Sequence, residues 1–486
     1  MTDQILLITS NGAGMGHLTR QLAVGLAMPD GVEASILTMS VGAATAAGRG
    51  IAIEYCPSYE RGWMPRRSWN TYLRDRIVAL VDELGADVVA FDGVAPYPGI
   101  AFARAARPKV GFVWLRRGMW RPDASAEQLR RSSVFDLIIE PGDLAQVADR
   151  GITAARTDAV RVPPISMVDV IDRLPRGEAA VALGLDPDRP TLLLTLGSGR
   201  LGDVQGPADV VLDAISASGW QVAVTRAAIA TKDIVHDDSV VPVRGVYPLV
   251  RYVSAFDAVV SAAGYNAVHE FLPAGIPTLL VPNGATRTDD QVGRARYLAS
   301  RGLALVAPED DREVLAEQAR LLLEEEKRAQ LEATTASVST GGAAATGELL
   351  AELAQTFGPS LRRVVASRIR VLDEQWRAWA KRALGPENTG RLQRALGRPV
   401  YDGPDTTLTV DVVRSEREFL DRSGDQVLLM ATDPGAAAIQ AGGPVEGVLA
   451  GTSPEYLAAR TRIVETYYDV ARISPIGESS RPPDPA

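Results

Sequence analysis

A rhythm of short apolar runs limits what this chain can fold into more than any other feature. Runs rich in Val, Ile, Leu and Phe, each closing on Gly, Pro, Asp or Ser, recur at 4–10, 33–39, 51–56, 87–91, 109–115 and 136–140. Stretches with helical spacing lie between several of them, at 18–28, 70–85 and 97–106. A strand that is apolar along its whole length must be covered on both faces, and parallel strands need a long crossover, usually a helix. The alternation therefore predicts an α/β chain with a parallel sheet and helices on both sides of it.

Residues 162–190 break the rhythm with Pro163, Pro164, Pro175, Pro187 and Pro190, and read as an inter-domain connection holding one short helix. The alternation then restarts. "TLLLTLGSG" predicts a buried strand running into a glycine turn, and "QVAVTR", "AVVSAAG" and "PTLLVP" predict further strands of a second sheet. A charged helix is expected at about 309–333. The expected domains are residues 1–165 and 166–355, two similar halves. From 359 the character changes: a long helix, then short strands ("TTLTVDVV", "QVLLMAT") and a helix near 454–472. Residues 359–475 are expected to form a helical or α+β appendage and 476–486 a disordered tail.

At 486 residues the chain is too long for one ordinary core. Its net charge of −9 argues against general binding to nucleic-acid backbones. Cys56 is the only cysteine, which excludes an internal disulfide and a cysteine-rich zinc site. The N-terminus has no signal-peptide pattern, and no apolar run approaches the ~20 residues that span a bilayer. The expected location is cytoplasmic.

The first predicted strand leads into "NGAGMGHLTR", residues 11–20. Gly12, Gly14 and Gly16 give G-x-G-x-G, which is not the G-x-G-x-x-G of dinucleotide sites, and the second strand ends without the acid that would hold a ribose. No Lys-Ser or Lys-Thr follows, so a Walker phosphate loop fails too. The loop does lie at the C-terminal end of a strand, where open α/β sheets bind ligands. Its glycines would let a ligand approach bare backbone. His17 opens the next helix and can face the crevice. The alternative is a tight strand–helix turn with a capping or packing histidine.

In the second half, "SAAGYNAVHEFLPAGIPTLLVPNGATRTDDQ" (261–291) carries the sharper signal. A strand ends at Ser261, a small-residue turn runs to Gly264, and a helix follows from about Tyr265 to Ala274. Its first turn offers free N–H groups and a positive dipole end suited to a diphosphate. Glu270 could face two vicinal hydroxyls such as a ribose presents. Asp290 and Gln291 close a polar loop, side by side, as suits hydrogen bonding to sugar hydroxyls.

This ordered set resembles the nucleotide-sugar-binding half of GT-B glycosyltransferases, in particular family 28 and the related UDP-glycosyltransferases. The elements that carry the likeness are Ser261, Gly264, Glu270, Gly275, Pro277, Pro282, Asp290 and Gln291, with the "LGSGR" turn, Gly197 to Gly199, and "NGAGMGH" at the start; it covers about residues 1–350. The resemblance implies two Rossmann-like domains facing a cleft. It implies a UDP-sugar, or another NDP-sugar, held by the second half: Glu270 on the ribose; Gly264, Tyr265, Asn266 and Ser198 on the diphosphate; Asp290 and Gln291 on the sugar. The acceptor, a small molecule, lipid or glycan, would sit in the first half beside Gly12, Gly14, Gly16 and Arg20. His17 would be the general base for an inverting transfer, a role for which imidazole has a suitable pKa. Asp92, ending "VVAFD" on the same sheet edge, is the candidate to orient it. Members of this family usually need no metal or cofactor.

Some features depart from the pattern or add to it. Tyr265–Asn266 replaces a small residue. His269 points about 100° from Glu270 on the helix and reads as a packing residue. "YERGWMPRRSW" (59–69) and "WLRRGMWRP" (114–122) interleave Trp and Arg. They read either as an acceptor mouth with peripheral membrane contact or as loops anchored by Trp with solvated Arg. Leu361, Val365, Leu372, Trp376 and Trp379 share one helical face, which suits either a membrane-interface helix or one packed on the body. Two other functions stay open here: a non-hydrolysing UDP-sugar 2-epimerase, and a non-catalytic nucleotide-sugar-binding partner subunit.

Overall fold

The structure is a computed structural model that describes residues 2–10, 15–40, 42–46, 49–56, 58, 66–197, 203–225, 234, 236, 240–395 and 428–429. The first half runs β1 (Asp3–Thr9), α1 (Gly16–Leu26), β2 (Val32–Thr38), α2 (Ala43–Ala46), β3 (Ala52–Tyr55), α3 (Arg66–Leu84), β4 (Val88–Asp92), α4 (Pro98–Ala106), β5 (Gly111–Leu115), β6 (Leu137–Pro141) and β7 (Val160–Val162). The second runs α5 (Arg176–Leu183), β8 (Thr191–Thr195), α6 (Gln205–Ile215), β9 (Gln221–Thr225), β10 (Val240–Val243), β11 (Ala258–Ala262), α7 (Tyr265–Phe271), β12 (Thr278–Val281), α8 (Gln291–Ser300) and β13 (Leu305–Val306). The helices α9 (Arg312–Leu323), α10 (Glu325–Thr335), α11 (Gly342–Thr356) and α12 (Leu361–Ala395) follow. The two-residue strand β14 (Leu428–Leu429) completes the first sheet.

All pairings are parallel, in the orders β14-β3-β2-β1-β4-β5-β6-β7 and β10-β9-β8-β11-β12-β13. Side-chain period explains why the central strands are apolar throughout. Ile5 and Leu7 of β1 join Val88, Ala90 and α1's Leu18 and Leu22 on one face. Leu6 and Ile8 join Val89, Phe91 and α3's Trp69 and Tyr72 on the other. Both faces of the strand are therefore core. In the second sheet Leu193 and Val259 belong to the first of these clusters, so one apolar layer runs through both halves.

Three details were absent from the sequence pattern. The helix expected over 309–333 is two helices, α9 and α10, meeting at Glu324, whose backbone is extended (φ −69°, ψ 129°). The short strands β7, β10 and β13 lacked the length to be read. Most consequentially, α11 returns to pack on α1 and β1 of the first half. Gly12, Gly14, Ser198 and Gly199 lie outside the described residues, as do residues 59–65 and, apart from 428–429, the strands and helix expected over 405–472 and the tail at 476–486.

Candidate active site

Asp92 ends β4 in register with Thr9 at the end of β1, so both strands release their chains at one edge. The chain leaving β1 re-enters as α1, whose first turn carries His17 and, three residues on, Arg20 on the same side. Both reach Asp92, which is fully buried. His17 Nδ1 lies 2.7 Å from Asp92 Oδ1. Arg20 donates from Nε to Oδ2 at 2.9 Å and from Nη2 to Oδ1 at 2.8 Å, a bidentate grip.

Arg20 Nη2 also lies 2.8 Å from His17 Nδ1, but a guanidinium only donates, so the carboxylate is the one acceptor beside Nδ1 that bears on the imidazole's tautomer. An unprotonated Nδ1 would set its lone pair against a carboxylate oxygen at 2.7 Å. Nδ1 therefore carries the proton and donates it to Asp92, which leaves the lone pair on Nε2. Burial drives the His17 pKa below its ordinary value, with Asp92 opposing and Arg20 and Arg117 adding to the fall. For Asp92 burial pushes up, but Arg20 and His17 together outweigh it and bring the carboxyl down to about 2. A neutral imidazole on an ionised carboxylate is the state near neutral pH.

The second half closes against this cluster. Asn266, at the start of α7, accepts from Arg20 Nη1 at 3.3 Å and donates to the Gly16 carbonyl at 3.4 Å. The Tyr265 ring carries two guanidinium groups, Arg20 at 5.1 Å and Arg117 at 5.6 Å from its centroid. Its hydroxyl donates to the Gly142 carbonyl and accepts from Ile165 N–H, both at 3.0 Å. The side chain is thus turned into the joint between the halves, leaving only the Tyr265 backbone at the helix start.

Arg294 and His269 form the rest of that joint. Buried Arg294 holds Asp143 of the first half through Nε at 2.9 Å and Asp289 of the second through Nη2 at 2.8 Å. Against the upward push of burial, Arg294 and Arg117 bring Asp289 down to about 2. His269 accepts Leu144 N–H at Nε2 (3.0 Å) and donates from Nδ1 to the Tyr265 carbonyl (2.6 Å), as befits a packing residue. Burial lowers its pKa to about 4. Alongside, Trp120 bridges Asp289, Arg121 N–H donates to the Thr288 carbonyl at 2.7 Å, and Asp290 N–H to the Met119 carbonyl at 2.9 Å.

The 114–122 stretch is therefore a clasp and not an exposed mouth. Trp114 and Trp120 are buried. Two of its arginines are not solvated either: Arg116 pairs with Asp158 at 3.0 Å, and Arg117 reaches Asp289 at 3.4 Å, while Arg121 stays partly exposed beside Asp123. Sequence reasoning missed Arg117, Asp143, Asp289 and Arg294. Arginines in loops read as solvated, and partners up to 172 residues apart leave no local trace.

The remaining predicted residues fall into three groups. Glu270 is half-buried and has no hydrogen-bond partner among the described residues, and burial pushes its pKa up to about 7. Asp290 and Gln291 are already engaged. Asp290 caps α8 by accepting Gly293 N–H at 2.9 Å, and Gln291 Oε1 accepts Asn283 N–H at 3.1 Å. Ser261 is buried in β11 and donates to the Ala262 carbonyl. Gly264 begins α7 with no side-chain cap. Gly197, with φ +91°, opens the turn after β8 in a conformation that favours glycine.

Residues 243–349 match the model of the glycosyltransferase family 28 C-terminal domain. The UDP-N-acetylglucosamine--N-acetylmuramyl-(pentapeptide) pyrophosphoryl-undecaprenol N-acetylglucosamine transferase of Clavibacter michiganensis subsp. michiganensis (strain NCPPB 382) is 30% identical over 323 residues, spanning 65% of this chain and 82% of the relative. The chain belongs to glycosyltransferase family 28. The enzyme of the same name from Clavibacter sepedonicus is 29% identical over the same length and shares. Among solved structures, the glycosyltransferase SnogD from Streptomyces nogalater aligns over 73% of this chain and all of its own, at 16% identity and a TM-score of 0.49. This family-28 chain is a glycosyltransferase with a nucleotide-sugar donor, built as a GT-B pair of Rossmann-like parallel-sheet domains. The epimerase and the non-catalytic partner subunit are thereby set aside.

Proposed function

We propose that this family-28 enzyme transfers the sugar of a UDP-sugar to a hydroxyl of a lipid-diphosphate-linked acceptor, inverting the anomeric centre by direct displacement with His17 as general base. The observation that carries the reading is the 2.7 Å contact from His17 Nδ1 to Asp92, which leaves Nε2 as the proton acceptor. The relatives' names, which specify UDP-N-acetylglucosamine and a pyrophosphoryl-undecaprenol acceptor, supply the two substrate classes.

The acceptor O–H hydrogen-bonds to Nε2. Its oxygen attacks the anomeric carbon on the face opposite the diphosphate, and its proton passes to Nε2. The bond from the anomeric carbon to the β-phosphate oxygen breaks, and the electron pair leaves with UDP. The imidazolium so formed rests on ionised Asp92, which Arg20 holds in place. Gly16, at the start of α1, leaves the acceptor's approach free of a side chain, and the sequence puts two more glycines, Gly12 and Gly14, just ahead of it.

Glu270 supports the donor assignment, because its unpartnered carboxylate fits a ribose diol. The diphosphate falls to the uncapped start of α7 at Gly264, Tyr265 and Asn266, and to the Gly197–Ser198–Gly199 turn. Asp290 and Gln291 have one oxygen and one amide nitrogen left for the sugar. In this reading residues 1–165 serve the acceptor and 166–355 the donor.

His17→Ala tests the base. With UDP-N-acetylglucosamine and an undecaprenyl-diphosphate-linked muramyl acceptor, turnover should drop roughly 10²–10⁴-fold while UDP affinity by titration calorimetry stays the same. The wild-type rate should fall with acidity below the ordinary histidine pKa, since burial lowers that of His17. The variant should lose this limb. Near-normal turnover, or lost UDP binding, would make His17 a structural or donor-side residue.

A further inference from the structure

Ten large hydrophobic side chains stand exposed among the described residues, and seven of them lie on α12: Leu361, Val365, Ile369, Leu372, Trp376, Trp379 and Leu384. At 100° per residue, the first six fall within an arc of about 80° on one face of the helix. Trp376 is 64% and Trp379 61% exposed. The opposite face is occupied: Ser367 is buried, and α12 packs on α4 and on the 3₁₀ stretch Ala126–Val134. The reading of this helix as packed on the body holds for that face, and the apolar row lies on the other.

Charge gives the exposed face a direction. Residues 361–395 hold nine Arg and Lys against three Asp and Glu, in a chain whose net charge is −9. Arg362 and Arg368 border the apolar row. A body acidic on balance with one strongly basic helix has an electrostatic moment that turns that helix towards a negative surface and the remainder away. Tryptophan and arginine around an aliphatic row suit the boundary between lipid headgroups and acyl chains. No helix among the described residues is long and apolar enough to cross a membrane, so α12 can only lie along one.

The helix is also aimed. Phe357, just before it, lies 5.6 Å from the Arg104 guanidinium in the last turn of α4. Arg370 donates to the Arg130 carbonyl at 3.2 Å, beside Arg131, which holds the Pro96 carbonyl just ahead of α4 at 2.8 Å. α12 therefore runs antiparallel to α4, towards the sheet edge where β4 ends in Asp92. From Arg370 to Leu384 it covers about 21 Å at 1.5 Å per residue, overhanging that edge before Gly385 (φ 73°) kinks it.

We propose that α12 docks this enzyme on an anionic lipid surface, laying the row from Leu361 to Trp379 into the interface. His17 and Asp92 are then presented at the lipid side, where an acceptor with a lipid anchor would be met. That purpose rests on the proposed acceptor; the docking itself does not.

The full chain is sedimented with vesicles of equal phosphatidylglycerol and phosphatidylcholine, with pure phosphatidylcholine vesicles, and without lipid. The Trp376→Ser/Trp379→Ser double variant, altered only at exposed positions, is run in parallel. The wild type should bind the anionic vesicles and weaken with added salt, and the variant should bind at least tenfold less. Transfer to a water-soluble short-chain acceptor should be unchanged in the variant. Failure of the wild type to bind, or equal binding by both proteins, overturns the proposal. So does a wild-type dimer that the variant reduces to a monomer, which would seat a second copy on the row. The difference in fluorescence between the two proteins reports the paired tryptophans. If iodide cannot quench that difference without lipid, residues beyond 395 cover the row and the proposal fails. A wild type that transfers but does not bind vesicles would sink the docking and leave the catalytic reading standing, whereas a wild type that binds without transferring would do the reverse.

Discussion

In the first half, Asp92 has both carboxylate oxygens occupied, by Arg20 and His17; in the second, Glu270 has neither occupied by any described group. Asp92 is fully buried and Glu270 half-buried, yet their pKa values move in opposite directions, Asp92 to about 2 and Glu270 to about 7. Burial pushes both up, and only Asp92 has cations to reverse it. The contrast separates two kinds of functional group. One that must orient a base has to be fixed before the substrate arrives, so the protein supplies its partners. One that recognises a ligand keeps its capacity open, at a cost to the free protein that the ligand's hydroxyls can offset.

Removing Asp92 should have the largest effect on the folded protein. Asp92→Ala strands Arg20, which is 2% exposed, without its counter-ion. Breaking one side of a buried pair costs about 3–5 kcal/mol, and denaturant unfolding should register a loss of that order. Because the Asp92 pKa is lowered in the fold, its stabilisation is present above the unfolded value near 3.8 and disappears as pH falls towards about 2. The variant should lack that acid dependence. A variant as stable as wild type would mean that Arg20 finds another partner and that the cluster is not preorganised by Asp92.

Glu270 should respond in the opposite sense. Its raised folded pKa means that its contribution to stability is intact below the unfolded value of 4.5 and is lost as pH rises through about 7. Glu270→Gln should therefore gain stability relative to wild type between pH 5 and pH 8, read as a melting-temperature difference that grows with pH. Glu270→Ala should weaken UDP binding by roughly 1.5–3 kcal/mol, the range for a hydrogen bond to a charged group. A melting difference flat in pH would imply an unseen partner for Glu270, and unchanged UDP affinity would remove it from the donor site.

The legibility of these features in the sequence follows from how local each one is. The strands β1, β4 and β8 were readable because a doubly covered parallel strand is apolar at every position, as in "ILLIT" and "TLLLT". The His17–Asp92 pairing was readable because parallel strands deliver their C-terminal ends to one edge. Arg20 was noticed only for its place in the glycine-rich stretch, and its grip on Asp92 spans 72 residues that no periodicity connects. The clasp of Arg294, Asp143 and Asp289 was invisible for the same reason. So was the return of α11 to the first half, since an amphipathic helix does not announce which sheet it will cover.

Asp290 is legible in a different way, because its place in the sequence carries a second signal beside the one for sugar binding. In "DDQVGR" an aspartate immediately before a helix is a strong N-cap, and its carboxylate does accept Gly293 N–H at 2.9 Å. This task is less demanding than those of Asp92 and Glu270, so the smallest effect is expected here. Asp290→Ala should lower stability by about 0.5–2 kcal/mol. Asp290→Ser sharpens the comparison, because a serine hydroxyl can cap the helix but cannot replace the free carboxylate oxygen. If Asp290 also holds the sugar, Asp290→Ser should restore most of the stability while the intact nucleotide-sugar still binds more weakly relative to UDP. If the cap is its whole role, serine should restore both. Gln291→Ala serves as the control for loop shape: it releases Asn283 N–H without touching the cap, so equal losses for nucleotide-sugar and UDP in that variant would assign the pair to shaping the loop.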